Sequence, residues 1–219
     1  MERRAPTSLF LLSAAGAGVI VFIVMAALAL GREPMAFDRS ALSALRHHGD
    51  PSIPIGPSWL LPAARELTAL AGTPVLSAMT LVLAGYFALK RQWSLVVLLL
   101  AAVIGETLLA QNLKALFARP RPDIVPHLVD ASSASFPSGH STSAAAIYLT
   151  LAALIARETK ERIVRNYVFA VAVALALIVG ASRVYLGVHY PTDVIGGLSF
   201  GAAWAAIVLI AARKLEERA

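Results

Sequence analysis

Trp93-Ser-Leu-Val-Val-Leu-Leu-Leu-Ala-Ala-Val-Ile-Gly-Glu-Thr-Leu-Leu-Ala-Gln-Asn-Leu-Lys114-Ala-Leu-Phe117 is the stretch on which the fold turns. A run of about 20 predominantly apolar residues, rising 1.5 Å each, crosses about 30 Å of hydrocarbon. Backbone amides in lipid must bond to one another, which leaves only a helix or a closed barrel. Strand-like alternation does not recur at barrel spacing, so the run predicts a helix. Lys114 then stands roughly 31 Å from Trp93 and delivers an ammonium group to the far face of the membrane.

Five further runs read the same way: residues 8–30, 72–89, 140–156, 167–187 and 192–212, alongside 93–117. The predicted architecture is all-α: a polytopic bundle of six transmembrane helices forming one domain over residues 1–219. Composition agrees. Of 219 residues, 58% are hydrophobic and 15% are charged, where a soluble domain carries about 25% charged. The net charge of +6 lies between the apolar runs and forms no patch with interleaved aromatics, which argues against nucleic acid as a partner. With no cysteine, disulfides and thiolate-bound metals are excluded.

Basic residues set the expected orientation. Arg3 and Arg4, Lys90 and Arg91, Arg157, Lys160, Arg162 and Arg165, and Arg213, Lys214 and Arg218 all fall on one side. That side is the cytoplasm, and both termini share it. The other side receives two long connections, 31–71 and 118–139. The first is expected to fold into short interfacial amphipathic helices, with Asp38 or Ser58 as caps. Arg3-Arg4 and Ala27-Leu28-Ala29 resemble the ends of a signal peptide, but the apolar stretch exceeds the usual signal core of about 7–15 residues. A retained anchor is therefore expected.

The polar residues that remain fall at one depth. Arg183 comes out roughly 24 Å after Tyr167, on the same face as Lys114. His140 and Asp193 begin their helices on that face. Three segments thus converge: Lys114 to Arg121-Pro122, Pro137-Ser138-Gly139-His140, and Ser182-Arg183 followed by His189 and Asp193. Their chemistry suits a phosphate. Arg121 and Arg183 can each fork onto two oxygens, and Lys114 adds a point charge. The Ser138-Gly139 turn opens a helix whose first amides form an anion site. Asp193, four residues after His189, can hold one ring nitrogen and leave the other to attack phosphorus. His140 is placed to protonate the leaving oxygen. Water would then cleave the phosphohistidine, with no metal or other cofactor required.

These segments, Lys-x6-Arg-Pro, Pro-Ser-Gly-His and Ser-Arg-x5-His-x3-Asp, resemble the motifs of the type 2 phosphatidic acid phosphatase superfamily. The resemblance covers the motif region 114–193 and the six-span layout. It is similar to the bacterial membrane-integrated lipid phosphatases that act on phosphatidylglycerophosphate, phosphatidic acid or undecaprenyl diphosphate. It implies Lys114, Arg121, Ser138, Gly139 and Arg183 as phosphate binders, His140 as general acid, His189 as nucleophile and Asp193 as its orienting partner. The implied partners are a membrane lipid phosphate and the bilayer, at the outer face of a bacterial inner membrane; oligomeric state is left open.

Two other functions use the same inventory. A phosphotransferase would pass the phosphoryl group to a lipid or sugar hydroxyl. A non-catalytic lipid transporter would place its charges at mid-membrane. Among the remaining polar residues, Arg119 is expected to shape the local field or face headgroups. Asp123 and Asp130 are expected in solvent, and His47, His48 and His127 lack ligand-like spacing. Glu106, roughly 12 Å below Lys114, is expected to be protonated or hydrogen-bonded between helices. Gly196-Gly197 should permit close helix packing.

Overall fold

A computed structural model of the chain describes residues 5–31, 33–157 and 159–216. Arg3, Arg4 and Arg218, which carry part of the expected orientation, lie outside these, as does the side chain of Lys214. Helix α1 (Ala5–Ala29) leads to α2 (Ala36–Ala44), a short antiparallel ribbon of β1 (Arg46–His47) and β2 (Asp50–Pro54), and α3 (Leu60–Ala69). Then come α4 (Thr73–Leu89), α5 (Trp93–Phe117), α6 (Gly139–Arg157), α7 (Arg162–Tyr185) and α8 (Pro191–Glu216).

Helices α1, α5, α6, α7 and α8 are long and apolar enough to cross a membrane. The expected span at 72–89 appears as the 17-residue α4, joined to α3 at a bend of 44°. Counted as one broken span, the pair gives the sixth. The break has a local cause: Gly72 leaves the helical conformation, and Pro74 in the first turn of α4 has no N–H to continue the α3 ladder. Large apolar side chains face outward along these helices, with Leu81 70% exposed and Ile163 77% exposed. Such a belt is a liability in water and the ordinary surface of a protein in lipid.

Helix α6 is the axis of the bundle. Its alanines at 144, 145, 146, 152 and 153 are buried, and small residues let neighbouring backbones come close. Leu99 of α5, Ile147 and Leu151 of α6, and Ala176 and Val179 of α7 form the main apolar cluster around it. Helix α8 lies against α6 through glycine. A Cβ at Gly197 would sit 2.7 Å from the Ser138 carbonyl, and one at Gly201 would overlap the Thr142 carbonyl. The neighbouring Gly196 faces the ring of Phe136, so the expected role of the glycine pair holds. Gly201→Val should force α8 off α6 and cost about 1–3 kcal/mol, read as a lower thermal unfolding midpoint in detergent. Helix α1 packs along α8, where Phe22 meets Phe200 with ring centroids 5.2 Å apart.

The 31–71 connection differs from expectation in two ways. It contains the β1–β2 ribbon, which no alternating pattern announced. Its helices are capped by neither Asp38 nor Ser58: the N-cap positions are Met35 and Trp59, without side-chain bonds. Asp38 lies inside the first turn of α2 and is fully buried, because its carboxylate is engaged elsewhere.

Candidate active site

The three motif segments meet at the end of the bundle where α5 finishes and α6 and α8 begin. Motif one runs off the C-terminus of α5. Lys114 Nζ donates to the Ala134 carbonyl at 2.5 Å, and its stem passes over Gly139, where a Cβ would lie 3.5 Å from Cε. That distance is an ordinary van der Waals contact, so the lysine alone does not require glycine there. Motif two is fastened to motif three by backbone: Ser138 N–H donates to the Asp193 carbonyl at 3.1 Å. Ser141 Oγ donates to the buried Ser138 Oγ at 2.9 Å. The Ser138 carbonyl accepts from Thr142 N–H at 2.9 Å and from its hydroxyl at 2.9 Å, so the turn enters α6 as a stiff unit.

Motif three bridges α7 and α8. Arg183, buried near the end of α7, donates from Nη1 to Thr68 Oγ1 of α3 at 3.0 Å, while its Nε is buried without a partner. Gly187, at φ +76°, reverses the chain so that His189 points back at the bundle. Pro191 then opens α8, and Asp193 lies in its first turn.

His189 is 1% exposed. Arg121 Nη1 lies 3.2 Å from its Nε2. A guanidinium only donates, so Nε2 presents a lone pair and Nδ1 carries the proton. Nδ1 faces Asp193 Oδ2 at 3.5 Å, and that same oxygen accepts the Tyr190 N–H at 2.9 Å. Burial lowers the His189 pKa to about 3; Asp193 opposes the shift, and the Arg121 and Arg183 charges reinforce it. The imidazole is therefore neutral at physiological pH. In isotope-labelled histidine spectra at pH 5, His189 should keep the neutral, Nδ1-protonated signature, whereas a histidine at its ordinary value would be mostly charged. A charged signature would contradict this geometry.

All eight sequence-predicted residues occupy this region. Lys114, Arg121 and Arg183 act electrostatically on His140, and Arg121 and Arg183 act on His189. Arg121 is held by the Val188 carbonyl at 2.7 Å and the Ser133 carbonyl at 2.8 Å. Asp123 and Asp130 are exposed. Glu106 is buried, with Oε1 accepting from Ser143 Oγ of α6 at 2.9 Å and Oε2 from Thr107 Oγ1 at 3.3 Å. It is a helix-to-helix link, as expected.

Arg119 meets one half of its expectation: its charge shapes the local field at Asp193 and Asp38, and at 3% exposed it is turned inward rather than toward headgroups. Nη1 donates to Asp193 Oδ1 at 2.5 Å and to Thr192 Oγ1 at 2.8 Å; Nη2 donates to Asp38 Oδ2 at 3.2 Å. Asp38 in turn accepts from Thr192 N–H at 3.0 Å and from its hydroxyl at 2.7 Å. The guanidinium also lies 4.5 Å above the Tyr190 ring. Asp193 is therefore held on both oxygens, one by Arg119 and one facing His189.

Comparison with known proteins identifies the family. The sequence pattern of the PAP2 superfamily matches residues 93–217. Phosphatidylglycerophosphatase B of Bacillus subtilis is 39% identical over 149 residues, covering 65% of this chain and 70% of that protein. Decaprenylphosphoryl-5-phosphoribose phosphatase of Mycobacterium tuberculosis is 34% identical, covering 68% and 78%. The crystal structure of a transmembrane PAP2-type phosphatidylglycerolphosphate phosphatase from Bacillus subtilis superposes with a TM-score of 0.76 at 31% identity, over 92% of this chain and 96% of that one. Motifs, bundle and relatives coincide: the chain belongs to the PAP2 superfamily of phosphatases.

Proposed function

We propose that the chain removes a phosphate from a membrane lipid through a phosphohistidine on His189. The observation that carries this reading is the His189 Nε2 lone pair, on a neutral, buried ring 3.2 Å from Arg121 and within reach of the Arg183 charge. In the first step Nε2 forms a bond to phosphorus while the bond from phosphorus to the lipid oxygen breaks. His140 gives that oxygen its proton. Arg121, Arg183 and Lys114 take up the charge that spreads over the equatorial oxygens, with the first amides of α6 behind them. In the second step water attacks phosphorus, His140 accepts its proton, and inorganic phosphate leaves with the histidine restored. Asp193 holds Nδ1–H throughout and stabilises the charge on the ring.

Lys90, Arg91, Arg157, Arg162, Arg165 and Arg213 stand at the bundle end opposite the site. By the positive-inside rule that end is cytoplasmic, which supports an active site facing the exterior. The test is phosphate release from a panel of lipid phosphates by purified protein, with and without EDTA. Release unaffected by chelation supports the reading; no release from any lipid phosphate would overturn it. His140→Ala should slow turnover by about 10²–10⁴-fold, the usual contribution of a positioned proton donor. An activated ester, whose leaving oxygen needs no proton, should lose much less.

A further inference from the structure

A cavity of about 210 Å³ opens between α4, α5 and α6 beside His140, Gly139 and Lys114. Its position extends the site toward the membrane interior. Its walls are unexpectedly polar for that depth: Ser77 of α4, Gln111, Thr107 and Glu106 of α5, and Ser143 of α6 all line it. Gln111 stands about 4–5 Å deeper than Lys114 and Glu106 about 12 Å deeper, at 1.5 Å per residue.

Glu106, Thr107 and Ser143 satisfy one another across the α5–α6 contact. Ser77 and Gln111 do not share in that network. Both are exposed, and among the described residues neither side chain has a hydrogen-bond partner. Polar side chains facing hydrocarbon without a partner are costly, so a ligand that meets them there gains what lipid tails would not supply.

Resting on the function proposed above, we propose that this cavity is the subsite for the glycerol ester region of a diacylglycerol phosphate, with Ser77 and Gln111 donating to its ester carbonyls. The phosphate of such a lipid at Lys114 places those carbonyls a few bonds further on, in the polar stretch, and its chains beyond. A polyprenyl phosphate has no polar atom to offer at that level. The subsite therefore selects glycerophospholipid phosphates over polyprenyl phosphates.

The experiment compares the full chain acting on a diester phosphatidic acid, the diether analogue of equal chain length, and a polyprenyl monophosphate. Wild-type kcat/KM should favour the diester over the diether by about tenfold, as loss of hydrogen bonds to two donors implies. The polyprenyl monophosphate should fall with the diether. In the Ser77→Ala/Gln111→Leu double variant the diester-to-diether ratio should fall to about one. Equal wild-type rates on diester and diether, or a ratio that persists in the double variant, would overturn the subsite. If the double variant does not fold, the wild-type ratio still decides. No phosphate release from any of the three lipids would overturn the proposed function and this inference with it.

Discussion

Replacing His189 by alanine is expected to lower kcat for phosphate release by about four to six orders of magnitude, the range seen when a nucleophile that works as a unit with its partners is removed. The size follows from what surrounds the ring. Burial keeps it neutral, Asp193 Oδ2 stands 3.5 Å from Nδ1, and Arg121 faces Nε2 at 3.2 Å. Removing the ring leaves a cationic pocket that can still bind phosphate but has no group to attack it. KM, or the binding of a non-hydrolysable phosphonate, should therefore change far less than kcat. Steady-state assays on wild type and His189→Ala, with circular dichroism to confirm the fold, would check this. A variant that keeps a tenth of wild-type turnover would rule His189 out as nucleophile.

The second large effect is on stability. Arg119→Met should cost about 3–5 kcal/mol, because it leaves Asp38 and Asp193 buried without their shared cation. Thr192 would then be the remaining partner that ties Asp38 of α2 to the N-terminus of α8. Adding Asp38→Asn to Arg119→Met should recover part of the loss by removing one of the stranded charges, a non-additivity that a double-mutant cycle measures. Unfolding midpoints in detergent for wild type, both single variants and the double variant supply the cycle. A loss below about 1 kcal/mol for Arg119→Met, as for an exposed ion pair, would show that the network is solvated.

What could be read from the sequence was whatever depends on distance along one chain segment. Counting 1.5 Å per residue from Trp93 to Lys114 and from Tyr167 to Arg183 put both cations at one depth before any fold was known. The four-residue step from His189 to Asp193 is equally local, and it is seen as the facing Nδ1 and Oδ2. The apolar runs gave the helices for the same reason, since each is decided within its own window.

What could not be read depends on pairs far apart in sequence. Asp38 and Arg119 are separated by 81 positions, and Thr68 and Arg183 by 115. Neither pairing leaves a local mark, because Asp38 reads as an ordinary acidic residue at a helix start and Arg119 as one more basic residue at a membrane face. The same holds for Arg46, whose Nη1 donates to the Tyr185 carbonyl at 3.0 Å. Through Asp38, Arg46 and Thr68 the 31–71 connection braces the end of α7 and the start of α8. Its β1–β2 ribbon was not legible because β1 has two residues and the five of β2, Asp-Pro-Ser-Ile-Pro, carry no alternation of polar and apolar side chains.

The proposed reaction requires a covalent bond between phosphorus and one imidazole. Rapid quench of the full chain with a radiolabelled lipid phosphate, followed by alkaline peptide mapping, tests it directly. The predicted result is an acid-labile, alkali-stable label on the peptide carrying His189, absent from His189→Ala. Label on the peptide carrying His140, or product formed in the first turnover with no labelled protein at any time, would contradict it.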